Sequence, residues 1–269
     1  MLETGKIMDM HMHIGNKNFF KNIIENSQHR GRYRMYDEIK YEQLNFSHHV
    51  KNIYGGIVMP MLAKELTIPE MNRMVSDFKS ENPYLHKCFL IDQENPTCVG
   101  YEGIKLFKEH FLIHKFEDYE KRKKSYEYIN SVGGAIIVHS KDNIRSESIK
   151  RILEDYSNIK IIIAHLGRNT YSDNDFIKNI LSEFKDNYAV YIDTSTVIDP
   201  KVITLACQVF DVNRILFGTD IPFAQTPGYF KKAVSSITNA DIPIDMQEKI
   251  FYKNAQELLL NMKLNKILR

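Results

Sequence analysis

Period-two alternation opens the sequence. In IMDMHMHI (7–14), Met8, Met10, Met12 and Ile14 fall on one face of an extended chain, and Asp9, His11 and His13 fall on the other. Seven more short apolar runs follow: GIVMPM (56–61), HKCFLI (86–91), GIKLF (103–107), AIIVHS (135–140), IKIIIAH (159–165), VYIDTS (190–195) and ILFGTD (215–220). Between the later runs the period lengthens to that of a helix. Ile149, Ile152, Leu153 and Tyr156 are spaced i, i+3, i+4, i+7, as are Ile177, Ile180, Leu181 and Phe184. Strands that alternate with helices, with no hairpin turn between them, predict parallel pairing through right-handed crossovers. Eight such units predict an α/β fold closed into a (β/α)8 TIM barrel. The stretch 92–102 is too short for a full helix and predicts a degenerate third crossover. Residues 15–50 exceed what a barrel unit needs and predict an extended loop after the first strand, over the mouth.

Composition supports one domain over residues 1–269. The 269 residues suit a barrel of roughly 250, and no Pro/Gly/Ser-rich linker divides them. With 43% hydrophobic residues the chain can bury about three quarters of its unfolded surface. The 36 basic residues nearly balance the 34 acidic ones, so no strong field draws the protein to nucleic acid or to an anionic membrane. The start MLETGKIMDM lacks a basic segment followed by an apolar one, and no run approaches the ~18 apolar residues of a membrane span. A cytoplasmic protein acting on a small molecule is expected. Cys88, Cys98 and Cys207 are too few and too scattered for a disulfide framework or a metal knuckle, and read as reduced structural thiols.

Spacing adds chemistry to the pattern. His139, His165, Asp193 and Asp220 each lie at or near the end of an apolar run, separated by 26, 28 and 27 residues. Each step is about one strand, loop and helix, so each residue stands one barrel unit from the next, at the rim where barrel enzymes assemble their sites. Lys105 fits the same rule one unit earlier. His11 and His13 occupy adjacent inward positions at the end of the first strand. Four histidines and a carboxylate on one rim would be costly to desolvate without a shared partner. A divalent cation is that partner, and imidazole with carboxylate suits zinc first, with manganese, iron or nickel also compatible.

The set DMHMHIG, GIKLF, IIVHS, IIAHLGR and FGTD, in this order, resembles the amidohydrolase superfamily, in particular its amidohydrolase-related (amidohydrolase 2) branch. The resemblance runs from His11 to the NAQELL segment at Asn254. It implies that His11, His13 and His139 are metal ligands and that Asp220 is a ligand that also takes the proton of the attacking water. It makes His165 either a ligand of a second metal or a group polarising the substrate. Binuclear members carry a carbamylated lysine on the fourth strand, and Lys105 stands in a suitable position, although one ion is expected rather than two. Relatives commonly show histidine and proline after the fourth-strand lysine and leucine, whereas here Leu106 is followed by Phe107 and Lys108.

The activity implied is hydrolysis of an amide, ester or lactone by a metal-activated water, with Asp220 as general base and His165 stabilising the oxyanion. The nearest alternative is decarboxylation of an aromatic or unsaturated acid in the same cage, with Arg168 placed to bind a carboxylate that stays. A metal-dependent nuclease lacks a basic stripe to support it. A non-catalytic metal-binding barrel would be expected to have lost a ligand. His29, His48, His49, His86, His110 and His114 read as structural or exposed. His48 and His49, with Tyr33, Tyr36 and Tyr41, belong to the early loop.

Overall fold

The computed structural model describes residues 6–15, 53–63, 66–93, 105–111, 113–115, 118–139, 144–167, 174–221 and 228–264. The degenerate third crossover beyond residue 93, the extended early loop beyond residue 15, Cys98 and Arg168 lie outside the described residues.

Nine parallel segments form the wall: β1 (Met8–Ile14), β2 (Gly55–Pro60), β3 (Leu85–Lys87), β4 (Phe89–Leu90), β5 (Leu106–His110), β6 (Ala135–His139), β7 (Lys160–Ile163), β8 (Val190–Asp193) and β9 (Ile215–Leu216). Their order is β1-β2-β3 and β4-β5-β6-β7-β8-β9. Segments β3 and β4 are one stave passing its hydrogen bonds from one neighbour to the next. Val58 pairs with Lys87 on one side of Cys88, Phe89 pairs with Phe107 on the other, and Cys88 N–H donates to Val58 O at 2.8 Å. The last seam closes β9 onto β1. Met10 N–H donates to Phe217 O at 2.8 Å, His13 N–H to Ile221 O at 2.7 Å and Asp220 N–H to His11 O at 2.8 Å. The fold is therefore the TIM barrel of eight staves.

Helices cover the outside: α1 (Ile68–Asp77), α2 (Tyr119–Val132), α3 (Ile144–Asp155), α4 (Asn174–Phe184), α5 (Pro200–Val209), α6 (Tyr229–Thr238), α7 (Ile244–Glu248) and α8 (Asn254–Leu264). The apolar stripe of α4 is buried as its period predicts, at Ile177, Ile180, Leu181 and Phe184. Helix α1 starts on a capping box in which Thr67 and Glu70 satisfy each other's backbone N–H. Helix α8 ties the bottom of the barrel, where Asn254 Nδ2 donates to Val212 O at 2.7 Å and Ile215 O at 2.8 Å. Among the described residues no helix is long and apolar enough to cross a membrane. Cys88 and Cys207 are free, and burial pushes their thiols up to about 12 and about 11, so neither supplies a ready thiolate.

Candidate metal centre

The ring closure brings the two ends of the chain's polar pattern together. His11 and His13 are buried on the inward face of β1, and Asp220 follows β9 across the seam. Asp220 has φ 65°, a left-handed conformation that a short polar side chain tolerates. Buried Asp9 holds that turn by accepting from Thr219 N–H at 3.0 Å and from the Thr219 hydroxyl at 2.6 Å. A Cβ on Gly218 would sit 2.9 Å from His11 Cβ and 3.2 Å from Ser195 Cβ, so glycine is what lets this segment lie against β1 at this depth.

Hydrogen bonds fix which nitrogen of each ring carries the hydrogen. His13 Nδ1 lies 2.7 Å from Pro60 O, and a carbonyl can only accept, so Nδ1 carries the hydrogen and Nε2 the lone pair. His11 Nδ1 likewise donates to Asp193 Oδ2 at 2.8 Å. Both Nε2 atoms then face one oxygen, Asp220 Oδ1, at 3.4 Å from His11 and 3.1 Å from His13. Ligands held ~2.0–2.1 Å from a tetrahedral zinc lie about 3.3 Å apart, so these separations fit a shared cation. The donor set also fits, with two neutral imidazoles and a carboxylate whose rings are oriented by outer partners. Among the described residues His11, His13 and Asp220 form one potential metal-holding group and His11, His165 and Asp193 another.

His139, at the end of β6, reaches the same rim but stands beside the first group. Its Nδ1 is 3.1 Å from His165 Nε2, and its ring meets those of His165 and His110 edge-on, with centroids 4.3 Å and 4.4 Å away. His165 lies beyond the end of β7, in a short turn (Ala164–Gly167) where its φ is 58°.

Residues 9–260 match the family described as amidohydrolase. The chain belongs to the amidohydrolase family. Solved structures share the fold at low identity. The 5-carboxyvanillate decarboxylase of Sphingomonas paucimobilis is 12% identical with TM-score 0.67, the alignment covering 94% of this chain and 98% of that one. A probable 2-pyrone-4,6-dicarboxylic acid hydrolase of Acinetobacter baumannii, with citric acid bound, is 15% identical with TM-score 0.66, covering 94% and 98%. A dihydroxybenzoic acid decarboxylase of a Polaromonas species, with manganese and 2-nitroresorcinol bound, is 16% identical with TM-score 0.63, covering 97% of each. No curated protein matches the chain.

Within this amidohydrolase barrel two sequence expectations need correction. Lys105 does not face the site. The strand expected at 103–107 runs instead over Leu106–His110, so Lys105 precedes it at the bottom of the barrel, and its ammonium donates to Met262 O of α8. The lysine that does face the ligands is Lys108, buried, with Nζ 2.9 Å from His11 Nε2. The same shift of register puts His110, read as structural or exposed and away from any strand end, at the end of this strand, buried beside His139. A period-two count from Leu106, giving 106, 108 and 110, would have found both.

Burial is the largest influence on the histidines. It lowers His11 from 6.5 to about 4, with Lys108 adding to the effect and Asp193 opposing it. Burial lowers His13 and His139 as well. Burial opposes ionisation of Asp220, but its close polar contacts with His13 and the other rim histidines outweigh that and hold Asp220 at about 2. The cluster at neutral pH is thus made of neutral rings and ionised carboxylates, the protonation states a cation requires.

A pH dependence follows. Unfolded histidine takes up a proton near pH 6.5 that folded His11 refuses until about pH 4. Stability of the metal-free protein should therefore fall as pH drops through that window, by about 3 kcal/mol from His11 alone. His13 and His139 act in the same direction, while Asp220 stays ionised throughout. Urea denaturation at pH 7, 5.5 and 4.5 measures this, and equal midpoints would contradict it.

Proposed function

We propose that the chain is a metal-dependent hydrolase, one barrel domain over residues 1–269, cytoplasmic, that cleaves an amide, ester or lactone of a small molecule. The observation that carries this reading is the convergence of the His11 and His13 Nε2 lone pairs on one Asp220 oxygen. His11, His13, Asp220 and the adjacent His139 would hold one divalent ion, zinc first, with manganese, iron or nickel compatible. When bound, the ion supplies Lewis acidity that makes water a nucleophile near neutral pH.

The protein's own groups do the rest. Asp220, ionised in its partly buried setting, accepts the proton of the attacking water and returns it to the leaving group. Lys108 Nζ occupies the same His11 lone pair that a cation would use. One lone pair cannot serve both, so a bound ion would compete with Lys108 for His11 Nε2, and a displaced Lys108 would be available to a negatively charged substrate atom. Lys108, not Lys105, takes the inward lysine position of the fifth strand segment.

A second reading is decarboxylation of an aromatic or unsaturated acid. It is favoured by two of the structurally similar proteins described above, which are named as decarboxylases of 5-carboxyvanillate and of dihydroxybenzoic acid. Arg168, expected to bind the retained carboxylate, keeps that role within this reading.

The test is a panel of lactones, esters, amides and phenolic acids offered to metal-stripped and metal-restored protein. Hydrolysis predicts product acid formed with uptake of one water and no CO2, only after metal is restored. Release of CO2 from an acid would replace the first reading with the second. Protein that binds no divalent ion would remove both.

A further inference from the structure

The ligand group accounts for only part of the polar network at the rim; the remainder is built around β8. Asp193 is wholly buried and accepts on both oxygens. Its Oδ1 takes the backbone N–H of His165 at 3.0 Å, that of Ser195 at 3.0 Å, and the Ser195 hydroxyl. Its Oδ2 takes His11 Nδ1–H at 2.8 Å, a hydrogen the ring shares with Ser195 Oγ at 3.2 Å.

These contacts determine a chain of proton positions. The Ser195 hydroxyl gives its one hydrogen to Asp193, so towards the ring nitrogen 2.7 Å away, His165 Nδ1, it can only accept. His165 Nδ1 also lies 3.3 Å from the Ser195 carbonyl oxygen, which has no hydrogen to offer. Both partners put the hydrogen of neutral His165 on Nδ1 and the lone pair on Nε2. That lone pair faces His139 Nδ1 at 3.1 Å. Two lone pairs would repel at this distance, so His139 Nδ1 carries a hydrogen and donates it, and His139 Nε2 keeps its lone pair.

We propose that Asp193 and Ser195 are positioning residues which, acting through His165, fix the tautomer of His139 so that His11, His13 and His139 all present an unprotonated Nε2. This rests on the metal reading above and assigns the outer hydrogen-bond shell of that site. It also reassigns His165. A neutral His165 has its one N–H bound to Ser195 and its lone pair engaged by His139, so it orients a ligand and neither polarises substrate nor holds a second ion. In the grouping of His11, His165 and Asp193, the His11–Asp193 link is a hydrogen bond at 2.8 Å, and His165 Nδ1 is taken up by Ser195 Oγ, outside the group, at 2.7 Å. The left-handed backbone at His165 and Leu166, with φ 58° and 54°, is held in place by the His165 N–H bond to Asp193. Such strain persists where surrounding contacts over-determine it.

The test is two-bond 1H–15N NMR on the full-length, metal-free protein labelled with 15N-histidine at neutral pH. Free neutral histidine prefers the hydrogen on Nε2, so the expected result, Nδ1–H for His11, His13, His139 and His165, is a departure from the default. In Ser195→Ala, His165 and His139 should shift towards mixed tautomers while His13, held by Pro60, stays unchanged as an internal control. Zinc affinity, measured by chelator competition, should fall about 10–100-fold. Nε2–H at His139 in the wild-type spectrum would overturn the proposal, and that spectrum decides even if the variant fails to fold. Unchanged tautomers and unchanged affinity in a folded Ser195→Ala protein would also overturn it. The expected wild-type tautomers in a protein that takes up no zinc would leave the relay standing and remove the metal reading instead.

Discussion

Asp220→Asn is expected to lower turnover by about 1000-fold or more while the barrel stays folded. A positioned general base alone contributes about 100- to 10000-fold, and this carboxylate is in addition the oxygen on which two imidazole lone pairs converge. Asparagine is nearly isosteric and preserves the backbone bond from residue 220 to His11 O. It removes the charge, however, and one of its two possible orientations presents N–H groups towards His13 Nε2. Divalent-ion affinity should fall together with kcat, and circular dichroism should be unchanged. Wild-type turnover in the variant would take Asp220 out of the chemistry.

The second large effect is on stability and comes from outside the ring. Glu109 points outward from β5, between Lys108 and His110, and is buried against α2. Arg122 Nε donates to Glu109 Oε1 at 3.0 Å, and the Tyr126 hydroxyl donates to the same oxygen. Arg122 Nη1 also donates to Lys115 O at 3.0 Å. Arg122→Ala leaves the buried Glu109 carboxylate without its cation, and breaking such a pair costs about 3–5 kcal/mol, read as a lowered urea midpoint. The double variant Glu109→Leu with Arg122→Met should lie closer to wild type than Arg122→Ala, because a buried pair replaced by apolar groups of similar volume is often neutral. A double variant less stable than the single one would mean that the charges themselves, and not the stranding of one, set the stability.

The same segment explains where sequence reading stopped. The alternation in β1 was legible because every second residue is apolar, and the placement of His139, His165, Asp193 and Asp220 was legible because barrel units repeat at nearly constant length. In GIKLFKEH the pattern favours the early residues, since KEH looks like the polar start of a loop. The strand nevertheless occupies the later ones, because Lys108 and Glu109 are each compensated by groups remote in sequence, His11 inside and Arg122 outside. No local pattern reports a partner 97 residues away, as His11 is from Lys108, or one on the following helix, as Arg122 is from Glu109. Asp193 was found by spacing but not by role, since a carboxylate that binds an ion and one that orients a ring are spelled alike. Ser195 carried no signal of its own. The third stave was read as a single run, HKCFLI, and it is one stave, though its pairing changes sides at Cys88.

The seam between β1 and β9 has a consequence for how the site comes into being. Two of its histidines belong to the first strand, His139 ends the sixth segment and its carboxylate follows the last, so no half-barrel contains the full set of donors. An ion that needs all of them binds only after the circle has shut, and it adds free energy to that state alone. Metal supply would then act as a check on complete folding: chains that stall as partial barrels would gain nothing from the ion, and in limiting metal proteolysis should increase where this junction opens.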